Sequence, residues 1–255
     1  MTLCEALNID LNVSELLSLV GAGGKTSIMF RLAQELKASG KKVLVTTTTN
    51  IAFSEALQAD HLIIDSSKET CFLSNVEPGA IVCLGGGVLN VKGKLKGVDR
   101  GLISEIYQKH FFDYIIVEAD GSKRKPIKAP AQYEPVIPGE TTRTIGVIGL
   151  DALDKTITGE HVHRPDLFCS VTGKSMGDLI DRRCLINLIL SEDGLFKDVP
   201  QGCRKHVVFN QADRTDRRKE AEITVHELIG MLAPVDGFII AAIGKGFIYA
   251  AGRDS

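Results

Sequence analysis

The sequence is short of several things. Its six cysteines, at positions 4, 71, 83, 169, 184 and 203, include no Cys-x-x-Cys pair. A zinc knuckle or a redox dithiol is therefore poorly supported, and Cys83, inside the apolar run Ala80 to Leu84, reads as a buried thiol. No apolar run approaches the ~20 residues of a membrane span. The first ten residues contain acids and lack the apolar core of a signal peptide. These features fit a cytoplasmic protein in a reducing compartment, with no membrane partner. An excess of either charge is lacking too: a formal net charge of −2 gives no global reason to expect nucleic-acid binding. The short charged runs Lys92 to Lys96 and Arg214 to Lys219 read as solvated faces. There is no internal repeat and no low-complexity linker.

What is present is a regular alternation across 255 residues, of which 44% are apolar. Short apolar runs at Leu16 to Val20, Val43 to Thr47, His61 to Asp65, Ala80 to Leu84, Tyr114 to Val117, Thr144 to Ile148, Val207 to Phe209 and Phe238 to Ala242 read as strands. Between them, Thr26 to Ser39, Asp99 to His110, Asp178 to Leu190 and Arg217 to Leu232 carry helical spacing. The expectation is one α/β domain over residues 1–255. It is a P-loop-type, doubly wound, mostly parallel sheet flanked by helices, with an edge hairpin near Asn90 to Gly97. Residues 118–139, rich in Lys and Pro and without periodicity, read as a functional loop. Residues 150–204 read as a helical insertion or connection.

The stretch "SLVGAGGKTS" (Ser18 to Ser27) resembles a phosphate-binding turn at its end but not at its start. The usual G-x-x-x-x-G-K-[ST] pattern has its first glycine where this chain has Leu19. If Gly21 takes that role, only Ala22 and Gly23 separate it from Gly24, so the loop is two residues short. A glycine turn between strand and helix aims backbone N–H groups at an anion, and the helix dipole adds to the attraction. On this reading Gly21, Ala22, Gly23, Gly24 and Ser27 contact phosphates. Lys25 supplies charge to the outer phosphates, and Thr26 offers a hydroxyl to Mg²⁺. The alternative is a glycine turn with a solvent-facing lysine.

"DYIIVEADGSKRKP" (Asp113 to Pro126) is an apolar strand that ends in acids. Glu118 and Asp120 alternate along an extended chain and so face one side. With Thr26 they make a candidate metal set, and with Lys25 a candidate catalytic one; an ordinary acidic turn is the alternative. "KHVVFNQAD" (Lys205 to Asp213) carries N-x-x-D after a strand, the pattern that reads guanine in GTP-binding proteins. Asn210 and Asp213 fit, whereas Gln211 stands where such proteins have lysine. The alternative is an Asx cap. Phe238 to Ala242, with Ile243 and Gly244, is expected to end near the same base. Thr47, Thr48 and Thr49 bring hydroxyls to the carboxyl end of the second strand, where ligands bind in such sheets, although β propensity alone explains threonines there. Lys123, Arg124, Lys125 and Lys128 can hold an anionic substrate or simply form a solvated loop. His161, His163 and Arg164 in "EHVHRPDLF" read as capping or packing residues, for want of a third metal ligand.

The stretches "LVGAGGKTS", "VTTTTNI", "IVEADGSKRKPIKAPAQYEPVIP", "IGLDAL", "HRPDLF" and "VVFNQAD" resemble the YqeC family. The similarity runs in order from about Ser14 to about Gly244. The family is described as accessory proteins of selenium-dependent molybdenum hydroxylases, or of selenium cofactor biosynthesis. The resemblance implies a P-loop protein that binds GTP or ATP with Mg²⁺, with a molybdenum hydroxylase or its cofactor-assembly proteins as partner. It also looks like the metallocenter-assembly GTPases of urease and hydrogenase maturation, which often work as homodimers. Three functions stay open: an accessory protein with slow hydrolysis, a phosphoryl or nucleotidyl transferase, and a binding module without turnover.

Overall fold

The computed structural model describes residues 1–64, 71–89 and 93–252. Asp65 and residues 90–92, assigned from sequence to a strand and a hairpin, lie outside them. The chain opens with a short helix α1 (Leu3–Ala6), followed by β1 (Glu15–Gly21), α2 (Lys25–Ala38), β2 (Val43–Thr47), β3 (Asn50–Ala52), α3 (Phe53–Ala56), β4 (His61–Ile64) and β5 (Ile81–Gly85). Next come β6 (Gly87–Leu89), β7 (Lys94–Lys96), α4 (Arg100–Gln108), β8 (Tyr114–Glu118), β9 (Ile127–Lys128) and β10 (Arg143–Gly149). The rest is β11 (Val162–His163), α5 (Pro165–Thr172), α6 (Arg182–Leu190), β12 (Arg204–Asn210), α7 (Thr215–Gly230), β13 (Gly237–Ala242) and β14 (Phe247–Ala251).

Nine strands form one sheet in the order β14-β13-β12-β10-β1-β8-β2-β5-β4. All neighbours are parallel except β14, which folds back antiparallel on β13. The two faces of β1 explain the layering. Leu17 and Leu19 pack with Ile28, Met29, Leu32 and Leu36 of α2 and with Leu3 of α1. On the opposite face, Leu16 packs with Ile103 and Ile106 of α4. Val20 packs there with Leu185 and Leu188 of α6 and Leu228 of α7. Strands buried on both faces read as continuous apolar runs, and that is why they were legible.

Several boundaries differ from expectation for local reasons. The helix expected from Asp178 starts at Arg182, because the Asp181 side chain accepts the Cys184 amide and caps it. Leu179 forms a β-bridge with Thr156 instead. The hairpin expected near Asn90 to Gly97 is β6 and β7, which join β3 in a separate three-stranded sheet. The edge hairpin of the main sheet is β13 and β14. Within residues 150–204, Phe168, Leu185 and Ile186 are buried against the main sheet.

At the opposite end from the glycine turn, Arg143 is fully buried. It holds Glu15 through Nε at 2.9 Å and Nη2 at 3.0 Å, and it donates to the carbonyl oxygen of Leu7 at 2.6 Å. His206 lies 3.1 Å from the same guanidinium. Burial and the Arg143 charge hold His206 down at about 4, so the imidazole is neutral at pH 7.

Candidate functional site

The glycine turn joins β1 to α2 at the carboxyl end of the sheet, where open parallel sheets bind ligands. Gly21, Gly23 and Gly24 have φ of 91°, 93° and 111°. At Gly23 a side chain is excluded on space as well, since a Cβ would stand 2.3 Å from the Gly149 nitrogen. The Gly21 amide donates to Asp120 Oδ2 at 3.0 Å. The amides of Ala22 and Gly23 donate to Val147 O and Lys125 O at 2.9 and 3.2 Å. These three N–H groups are therefore occupied within the fold, which corrects the expectation that Gly21, Ala22 and Gly23 offer amides to phosphate. The shortened loop is the physical reason: it hugs β10 and the segment after β8. The groups that remain are the amides of Gly24, Lys25, Thr26 and Ser27, which as the first four of a helix have no acceptor inside it.

Lys25 is buried at 3% exposure. Its Nζ donates to Gly21 O at 2.6 Å and lies 3.0 Å from Asp120 Oδ1 and 3.7 Å from Glu118 Oε1. Burial opposes its charge, but Asp120 and Glu118 more than offset burial, and the ammonium is held above its ordinary value. The solvent-facing alternative is thereby excluded. Thr26 Oγ1 donates to Glu118 Oε2 at 2.7 Å. Burial raises the Glu118 carboxyl, with Lys25 and Thr26 opposing it. Lys25, Thr26, Glu118 and Asp120 are thus brought together as the spacing predicts. Their roles divide: Glu118 faces Thr26, whereas Asp120 faces the Gly21 amide and two lysines.

The second lysine is Lys128, and it is not on a solvated loop. Buried at 2% exposure, its Nζ meets Asp120 Oδ2 at 3.0 Å and Glu134 Oε2 at 2.6 Å, and donates to Gly121 O at 2.8 Å. Glu134 in turn accepts a fork from Arg164, at 2.7 and 3.0 Å. An alternating row of charges therefore runs from Lys25 through Asp120, Lys128 and Glu134 to Arg164. Burial alone would raise Glu134, but Arg164 and Lys128 outweigh it and hold the carboxyl at about 2. The sequence reading does not single out Glu134, and it takes Arg164 only as a capping or packing residue. Both sat in quoted stretches, "AQYEPVIP" and "HRPDLF", but nothing in their spacing announces a pairing across 30 residues.

The remaining expected residues are placed as follows. Thr47 Oγ1 donates to Glu118 O at 2.8 Å and Thr48 Oγ1 to Val136 O at 3.0 Å. They brace the end of β8 and the segment after it; of the three threonines, Thr49 lines a cavity. Lys125 Nζ donates to Glu160 O at 2.7 Å, while Lys123 is exposed. Asn210 is buried and clamps the turn: its Nδ2 donates to Gly23 O at 2.8 Å and its Oδ1 accepts the Ile243 amide at 3.2 Å. Asp213 is exposed. Gln211 has a left-handed backbone (φ 63°) and turns in toward Gly149, at whose α-carbon a Cβ would stand 2.1 Å from Gln211 Oε1.

Beside Thr26 and Glu118 opens a cavity of about 930 Å³. Its walls include Glu55, Lys94, Lys123, Arg124, Tyr133 and Arg164. His163 also lines it and is held down at about 4 by burial first and the Arg164 charge second. Among the described residues, no group of three or more His, Cys, Asp or Glu is arranged to hold a metal ion, and no helix is long and apolar enough to cross a membrane.

A family model described as YqeC protein matches residues 17–166 of this chain. An Escherichia coli (strain K12) protein described as uncharacterized protein YqeC is 36% identical over 211 residues, covering 81% of this chain and 80% of its own length. The matched span takes in the glycine turn, both acids at the end of β8, Lys128, Glu134 and Arg164.

Proposed function

The chain belongs to the YqeC family, and from that premise we propose that it binds a Mg²⁺–nucleotide, GTP or ATP, as an accessory protein in maturation of selenium-dependent molybdenum hydroxylases. One observation carries the nucleotide reading: a lysine and a threonine at the start of a helix converge on two acids at the end of the neighbouring parallel strand. That is the arrangement phosphoryl chemistry uses.

The residues divide the work. The amides of Gly24 to Ser27 meet phosphate oxygens at the positive end of α2. Lys25 transfers its ammonium from Gly21 O and Asp120 to an outer phosphate oxygen. That move leaves no uncompensated buried charge, because Asp120 keeps Lys128 and the Gly21 amide. One hydroxyl and one carboxylate suit Mg²⁺, which keeps several waters and takes its other ligands from phosphates. Thr26 and Glu118 fit that set; Asp120, turned to the lysines, does not. A Mg²⁺ held there would supply charge neutralisation to the phosphates. The role toward molybdenum hydroxylases rests on the resemblance of the family stretches.

The test is thermal: ligands that bind only the native state raise Tm by mass action. GTP or ATP should raise Tm with Mg²⁺ and less without it. No shift with either nucleotide would end the reading. For the wider role, cells lacking the chain should accumulate a molybdenum hydroxylase without its selenium-containing cofactor; full cofactor loading would contradict it.

A further inference from the structure

The cavity beside the glycine turn lies on one side of β1, and the N-x-x-D segment lies on the other. In the sheet order, β12, which ends in Asn210, stands two places from β1, beyond β10. Thr26, Glu118 and the segments after β2 and β8 line the cavity on the opposite flank. A nucleotide held at the start of α2 with its base toward Asp213 leaves this space free. At about 930 Å³, it is large enough for a metabolite-sized molecule, within the roughly 300–1,000 Å³ of ordinary ligand pockets.

The cavity lining carries three acids, Glu55, Glu118 and Glu134, against four cations, Lys94, Lys123, Arg124 and Arg164, and the pairing widens that excess. Its acids are already engaged. Glu134 is held by Lys128 and Arg164. Glu118 is held by Thr26 and Lys25. Glu55 accepts the Ala52 amide. Its cations are freer: among the described residues Lys94 and Lys123 form no ion pair, and Arg124 only a 3.9 Å contact with Glu55. The backbone adds a second observation. Lys123 and Arg124 are consecutive left-handed residues, φ 48° and 59°, a conformation that costs non-glycine residues on the order of 1 kcal/mol each. They are fixed there by the neighbouring Lys125 O, which takes the Gly23 amide, and Pro126 O, which takes the Gly149 amide. Strain held at a rim of weakly engaged cations points to a ligand site.

We infer that this cavity is a second ligand site, for a small molecule bearing a carboxylate or phosphate group, held by Lys94, Lys123 and Arg124 and presented to Thr26 and Glu118. The inference rests on the nucleotide reading for its purpose, since the ligand would sit where an outer phosphate ends. Its binding chemistry stands apart from that reading.

The test titrates citrate and phenyl phosphate, separately, into the full chain with ligand-observed NMR. It compares the wild type, a Lys123→Ala/Arg124→Ala double variant and Lys25→Met. The site predicts that at least one probe binds the wild type and that the double variant binds it roughly tenfold more weakly. Lys25→Met should keep the probe. The tighter of the two probes identifies carboxylate or phosphate as the recognised group. No binding by either probe, equal binding to the double variant, or loss of the probe in Lys25→Met would overturn the inference; the last would place the probe on the glycine turn. Nucleotide affinity is read separately on the same variants. If Lys25→Met keeps it, the nucleotide reading fails while the probe result stands.

Discussion

Thr26 Oγ1 donates a 2.7 Å hydrogen bond to Glu118 Oε2, tying the first turn of α2 to the end of β8. The contact is made by the two groups assigned to Mg²⁺, so the acid should matter to the metal and little to the bare phosphates. Glu118→Gln keeps the shape and removes the charge. It should weaken Mg²⁺–nucleotide binding by roughly tenfold or more, in keeping with loss of a charge-assisted contact, and leave metal-free binding nearly unchanged. Calorimetry with and without Mg²⁺ checks this. An unchanged Mg²⁺ response would remove Glu118 from the metal set.

Lys128 separates the account from a solvated-loop reading most sharply. Lys128→Met removes the cation shared by Asp120 and Glu134 while keeping the side-chain volume. Breaking a buried ion pair from one side costs about 3–5 kcal/mol, so urea unfolding should show a loss of that order. An exposed loop lysine would change stability by about 0.5 kcal/mol or less.

Acid should destabilise the protein in two windows. His206 and His163 are held down at about 4, below the ordinary 6.5. The unfolded chain therefore binds protons first, and stability present above pH 6.5 is lost as pH falls toward 4. Glu134, held at about 2 against an ordinary 4.5, contributes stability present above pH 4.5 that is lost as pH falls toward 2. Each group accounts for on the order of 1–3 kcal/mol. Tm measured from pH 7 to pH 2 should fall through both windows. Glu134→Gln should flatten the lower one and His206→Asn the upper. Unaltered slopes in both variants would contradict these assignments.

How much of this was legible beforehand follows from how far each signal reaches along the chain. β2 was read with its observed limits, Val43–Thr47, because a β-branched run buried on both faces carries its own period. The meeting of Lys25 and Thr26 with Glu118 followed from a local motif on each of two neighbouring strands. β3 and β14 were not foreseen, being short or partly exposed, with pairings that local pattern does not specify. The Lys128 network lies outside local pattern for a related reason. A lysine in a Lys/Pro-rich segment looks solvated until Glu134 and Asp120 are known to close over it. Asn210 reads locally as part of a base-reading motif or as an Asx cap; the bond from its amide to Gly23 spans 187 residues, beyond the reach of local pattern.

The most direct test of the central claim is calorimetric titration of Mg²⁺–GTP and Mg²⁺–ATP into wild type and Lys25→Met, with the fold of each checked by circular dichroism. The account predicts binding to the wild type by at least one nucleotide and none detectable to the folded variant. Equal affinity in both, or no binding to the wild type, would contradict it.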